Sequence, residues 1–183
     1  MKKYFILYKP FLLFLGKFFL SYFILTLVYQ GFLGGFGGGK IDSVTYLVAK
    51  NTGQLLELFD ADAAIVKNKS DSYIMLFYNQ KYVARMIEGC NAVSVIILFV
   101  SFVVSFSGKL KHTLLFNFGG SLIIYMLNVA RIAALCVLMY LFPKQEPMLH
   151  GVFFPLFIYG VVFVLWVIWV RKFSLYAKNT ADT

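Results

Sequence analysis

From residue 113 to residue 142 the chain carries one charge, Arg131, in a run that is otherwise apolar or small and is longer than a single bilayer crossing requires. A run of this kind reads as a membrane helix, and three more accompany it, at residues 11–34, 91–107 and 151–170. The whole chain agrees with that reading. Of its 183 residues 61% are apolar and 19% aromatic, and the mean hydropathy of +0.79 exceeds what a soluble domain tolerates. The expectation is one all-α polytopic membrane domain over residues 1–183, with about four transmembrane helices and a small extracytoplasmic segment at 35–89.

A formal charge of +9, from 17 Lys and Arg against 8 Asp and Glu, could in principle serve nucleic acid. Its distribution points to the bilayer instead. Lys2, Lys3 and Lys9 precede the first run, Lys109 and Lys111 lie between the second and third, and Arg171 and Lys172 close the fourth. Basic flanks of short loops mark the cytoplasmic side, so both termini are expected inside a cytoplasmic membrane. Lys17 is near enough to the inner surface to snorkel, and His112 sits in the inner turn. The first run is too long for a secretory leader and has no clear small-residue cleavage site, so it is expected to stay as an anchor. Two cysteines, Cys90 and Cys136, suffice for neither a disulfide framework nor a metal cluster. With no phosphate-binding, zinc or nucleotide motif, no cofactor and no metal is expected.

The segment between the first two runs is different in kind. Glycines at 34, 35 and 37–39 make a flexible exit loop. Ile41, Val44, Leu47, Val48, Leu55, Leu58 and Phe59 then recur at three- and four-residue spacing, which predicts one or two interfacial amphipathic helices broken at Gly53. Residues 73–78 and 82–87, around Asn79-Gln80-Lys81, predict a β-hairpin. Basic residues here are balanced by Asp42, Glu57, Asp60, Asp62, Asp71 and Glu88, which places the segment outside. Beyond it, 113–142 is expected to be a single long helix with a flex point at Gly119-Gly120, and Pro143 to Pro147 a turn. The polar tail from 174 is expected to fray.

Three residues are awkward for a purely structural chain. Cys90 lies in Glu88-Gly89-Cys90-Asn91-Ala92 at the mouth of the second run, Arg131 lies inside the third with Asn128 at i−3, and His150 precedes the fourth. A helix rises about 1.5 Å per residue, so the distances from Lys109 to Cys90, Thr113 to Arg131 and Arg171 to His150 come to about 28, 27 and 32 Å. All three therefore reach the outer interface. Each has an ordinary explanation alone: a small hydrophobe, a snorkelling or structural charge, a loop histidine. Together they make a thiol site. Unpaired N–H groups at the start of a descending helix favour the thiolate of Cys90, and the same dipole favours a neutral His150. Glu88, Asn91 and Asn128 are candidate supports, while Cys136, among Ala133, Ala134 and Val137, is an ordinary buried thiol.

A cysteine opening one membrane helix, an Asn-x-x-Arg element on the next (Asn128-Val129-Ala130-Arg131) and a histidine opening a later one (His150-Gly151) resemble the exosortase and archaeosortase family. The resemblance covers most of the chain, and its compact form resembles the small F-type branch. Family members often read Cys-Ser-Gly at the nucleophile where this chain reads Cys90-Asn91-Ala92. The resemblance implies a membrane cysteine protease or transpeptidase that processes C-terminal sorting signals of membrane-anchored exported proteins. Cys90 would be the nucleophile, Arg131 the oxyanion clamp and His150 the acid–base. The competing reading is a non-catalytic membrane scaffold or transport component in which Asn128 and Arg131 hold helices together.

Overall fold

The computed structural model describes residues 2–36, 41–59, 62–68, 73–106 and 108–173. Glycines 37–39 of the expected exit loop and the tail from 174 lie outside the described residues. Among the described residues three helical stretches are long and apolar enough to cross a membrane: Tyr8–Gly34, Leu110–Leu141 and Leu149–Phe173. The first lies within α1 (Lys2–Gly34) and the second is α4. The third joins a π-helical turn, Leu149–Phe153, to α6 (Phe154–Ile168) and a second π-helical turn, Trp169–Phe173; the one-turn α5 (Glu146–Met148) precedes it.

The second expected span is shorter than its apolar run. Helix α3 covers Val93–Ser105, 13 residues and so about 20 Å, less than a hydrocarbon core of about 30 Å. Its start is set by Asn91, whose side chain accepts from the Val93 N–H at 3.0 Å, and by Ala92, which takes a left-handed conformation at φ 65°. A non-glycine residue there cannot continue a right-handed helix backwards. At the far end Phe106 is extended. Cys90 therefore sits ahead of the helix, in a 3₁₀ turn over Glu88–Cys90, rather than opening it.

Ring contacts fix the helix directions. Phe14 near the start of α1 meets Phe102 and Phe106 near the end of α3, while Tyr29 near the end of α1 bonds Asn91 just ahead of α3. Phe116 early in α4 meets Phe99 and Trp169, and Asn128 late in α4 bonds Cys90. The pairs α1–α3, α3–α4 and α4–α6 thus run antiparallel, with Cys90, Asn128 and His150 at one end and His112, Trp169 and Phe173 at the other. Gly120 is a contact point and not a flex point: α4 is unbroken across it, and a Cβ there would run into the ring of Phe99. The missing side chain lets the fully buried Phe99 lie on the α4 backbone.

At 32 residues α4 is about 48 Å long, and its second half carries a second core on one side while Leu135 and Met139 pack on Leu149 and Phe154. Val129, Ile132, Ala133 and Cys136 pack there against Val48, Ala49 and Leu56 of α2 (Ser43–Glu57) and against Ile74, Leu76 and Met86 of a sheet. The sheet has three antiparallel strands in the order β1 (Ala63–Lys67), β2 (Ile74–Tyr78), β3 (Lys81–Met86). The expected hairpin is β2–β3. Its turn, Asn79 and Gln80, has φ of 48° and 62°, the pair of left-handed residues that a two-residue type I′ turn needs. Strand β1 is an addition to the expectation.

Helix α2 departs from the expected pattern at Gly53. It is one helix, started by Asp42, whose Oδ1 accepts from the N–H groups of Val44 and Thr45 at 2.9 Å each, and it runs through Gly53 without a break. Its buried stripe is Thr45, Val48, Ala49, Thr52, Gly53 and Leu56, while Leu47, Leu58 and Phe59 are exposed. Small residues face inward because α2 lies close to α4 and β1; a Cβ on Gly53 would already touch Ile65 at 3.5 Å.

Candidate functional site

Cys90 is held by its backbone. Its N–H donates to the Ile87 carbonyl at 2.9 Å, and its carbonyl accepts from Asn128 Nδ2 at 2.8 Å. The next residue, Asn91, is 2% exposed and uses its whole amide. Nδ2 donates to Tyr29 Oη at 2.7 Å and to Thr45 Oγ1 at 3.0 Å, and Oδ1 takes the Val93 N–H. A buried amide must be satisfied in this way, so the turn that displays the thiol is bound to α1, α2, α3 and α4 at once. The thiol is half-buried and in no disulfide, while the peptide beneath it is fixed.

Arg131 joins this network at one remove. Its Nη1 donates to Asn128 Oδ1 at 3.4 Å, a long contact, and Nε is buried with no partner among the described residues. Because Asn128 accepts from Arg131 and donates to Cys90, the three make one polarised chain, guanidinium to amide to cysteine carbonyl. No carboxylate among the described residues pairs with Arg131.

Beside the thiol is a cavity of about 270 Å³ lined by Val83, Ala84, Arg85, Ile87, Cys90, Leu135, Met139 and His150. Cys90 and His150 thus share one space, whereas the depth arithmetic gives only a common height. His150 is exposed, on the π-helical turn Leu149–Phe153, so it lies inside a continuous helical stretch instead of at its first residue. Wider turns of this kind break the regular ladder and recur at functional sites. Arg131 is not part of the cavity lining; it reaches Cys90 through Asn128. Glu88 begins the 3₁₀ turn, half-buried, and its carbonyl accepts from the Asn91 N–H at 3.4 Å.

Several participants carry no local signal in the sequence. Tyr29 lies in an apolar run where a tyrosine is unremarkable, and Thr45 reads as a helix residue; their roles depend on Asn91 reaching both. Arg85, Leu135 and Met139 become lining residues only once β3 is laid beside the upper part of α4. Cys136 is fully buried in the second core and does not line this cavity. Among the described residues no three His, Cys, Asp or Glu side chains gather as a metal site.

The arrangement offers a nucleophile, an imidazole across a shared cavity and a pre-set amide–guanidinium chain behind the nucleophile. Those are the parts that thiol acyl transfer needs. Compared with protein-family models, with curated proteins and with solved structures, the chain matches none.

Proposed function

We propose that this chain is a membrane cysteine protease or transpeptidase of the exosortase kind, acting on C-terminal sorting signals of exported proteins at the outer face of the cytoplasmic membrane. The observation that carries the reading is the cavity shared by Cys90 and His150, beside a cysteine whose carbonyl is tied to Asn128 and Arg131. In this reading α3 is a fourth, short crossing completed by its flanking turns, both termini are cytoplasmic, and the sheet and α2 lie outside. A substrate anchored by its own apolar helix would present the preceding peptide to the cavity.

The thiolate sulfur of Cys90 attacks the scissile carbonyl and a C–S bond forms. The carbonyl electron pair moves to oxygen, and Arg131 stabilises that charge once its weak contact to Asn128 is exchanged for the oxyanion. Collapse breaks the C–N bond, and the leaving amine takes a proton from the His150 imidazolium. Water or an amine then gives its proton to His150, attacks the thioester and releases the Cys90 thiolate. Two first roles are open to His150. It either takes the thiol proton itself or acts only after a thiolate formed without its help has attacked.

One observation favours the second reading, a non-catalytic scaffold: Arg131 leans on Asn128 and not into the cavity. Thiol chemistry separates the two. Purified protein in detergent, given a membrane-anchored sorting-signal substrate, is expected to accumulate a thioester on Cys90 and to lose processing in Cys90→Ser and His150→Ala. Slowed alkylation of Cys90 in His150→Ala, restored at higher pH, assigns His150 to thiol activation. Normal processing by Cys90→Ala rules out covalent thiol catalysis.

A further inference from the structure

The sheet order leaves β3 as an edge strand. An edge strand presents N–H and C=O groups on alternate residues with no strand to receive them. The cavity beside Cys90 touches Val83, Ala84, Arg85 and Ile87. Successive side chains of a strand point to opposite faces of its sheet, so a space that touches both Ala84 and Arg85 does not lie on one face. It lies along the edge.

The local pairing reinforces this. Leu76 is opposite Ala84 and Phe77 is opposite Tyr82, so Val83 is an extra residue, a bulge on β3 at the head of the cavity. Bulges turn a strand and re-aim its groups, and they favour edges and active sites. The opposite wall is formed by Leu135 and Met139 of α4 and by His150, with Val83 packed against that cluster at one end of the cavity. The strand leads directly to the thiol: β3 ends at Met86, and Cys90 closes the turn that follows.

We infer that the cavity takes a peptide in extended conformation, hydrogen-bonded as a fourth strand to the free edge of β3, with its scissile carbonyl delivered to Cys90. This rests on the acyl-transfer reading above and names how the substrate is held. A peptide backbone supplies the alternating donors and acceptors that the edge lacks, as in other strand-addition complexes. From Val83 to Ile87 the edge is about 13 Å long, enough to pair about four substrate residues. Recognition through the main chain excludes proline at alternate substrate positions, since proline brings no N–H to the ladder. Arg85, exposed at this edge and without an acidic partner among the described residues, is placed to read a substrate side chain.

The test uses full-length Cys90→Ala protein in detergent and a displayed library of random decapeptides. Peptides enriched from it are resynthesised with one N-methyl group at each position in turn, because N-methylation deletes a single N–H. The expected result is a period of two over about four residues, with binding weakened about tenfold at alternate positions and nearly unchanged between them. Hydrogen exchange of amides within 83–87 is expected to slow when the peptide binds. No enrichment, or N-methyl effects without a period of two, overturns the inference, as does a β3 edge already protected by a second copy of the chain in a dimer. Because binding is measured without the thiol, the two readings fail separately. Alternation with no acylation of Cys90 in the unmutated protein removes the activity and keeps the docking mode, and acylation without alternation does the reverse.

Discussion

Replacing Asn91 with alanine removes three hydrogen bonds from a residue that is 2% exposed. The bond from the Val93 N–H acts as a cap on α3, and losing a cap costs about 1 kcal/mol. The bonds to Tyr29 and Thr45 contribute about 1 kcal/mol each in net terms. The expected loss is therefore about 3 kcal/mol, which in a chain of this size lowers the melting temperature by about 6–12 °C. Asn91→Ser keeps a weaker version of the cap but does not reach Tyr29, so its loss should be about 2 kcal/mol. The assay is reversible unfolding in mixed micelles followed by tryptophan fluorescence. Its sharpest form is a double-mutant cycle with Tyr29→Phe, which is expected to cost about 1 kcal/mol in the unmutated chain and close to nothing in the Asn91→Ala background. Equal costs of Tyr29→Phe in the two backgrounds refute the claim that Asn91 ties the thiol turn to α1.

Maleimide added to native protein is expected to label Cys90 and leave Cys136 unmodified, since Cys136 is fully buried; mass spectrometry of the labelled protein reads both, and modification of Cys136 at the same rate contradicts the second core. Arg131→Lys keeps charge but not the planar fork and is expected to cost about a hundredfold in processing rate, with Arg131→Gln no better; normal rates in both assign Arg131 to structure alone. Gly120→Ala gains about 1 kcal/mol of helix propensity but drives a methyl into Phe99, so a net loss of about 1–2 kcal/mol is expected in the same unfolding assay, and a gain contradicts the packing of α3 on α4. Reporter fusions after Lys144 should read as external and those after Lys111 as cytoplasmic; an internal signal after Lys144 is incompatible with a substrate site at the outer face.

What the sequence reveals follows the strength of each signal. The run from 113 to 142 is legible as one helix because a split would leave a second piece too short to span, and the hairpin because Asn79 and Gln80 interrupt two β-rich segments. Cys90, Asn128 and His150 come to one end by counting residues. Strand β1 is not legible because Ala63–Lys67 is five residues long and acquires strand character only by pairing with β2. The face of α2 is hidden for a similar reason. Its large apolar residues suggest burial, but the neighbouring α4 and β1 are close enough to admit only Thr45, Ala49, Thr52 and Gly53 beside Val48 and Leu56. Glycine at 53 and 120 reads as weakness, whereas each marks an approach between elements that a list of residues does not contain. Arg131 is placed by counting at the right height but not at its partner's amide, since a helix count gives depth and not the reach of a side chain.

Because α4 is one uninterrupted rod, the bundle and the second core share a single phase angle. Gly120 faces Phe99 on one side of the membrane segment and Asn128 meets Cys90 further along, with Leu135 and Met139 facing the cavity beyond. One codon inserted between 120 and 128 would rotate everything above it by about 100° and lift it by about 1.5 Å. Asn128, Arg131 and the cavity wall would all turn away together, while every helix stayed intact. The same codon inserted at the Pro143–Gln145 turn leaves that phase untouched. A scan of single-residue insertions should therefore abolish processing throughout 121–127 and spare it at 143–145, so the chain's tolerance for length changes is set by where its axis is held and not by where it is apolar.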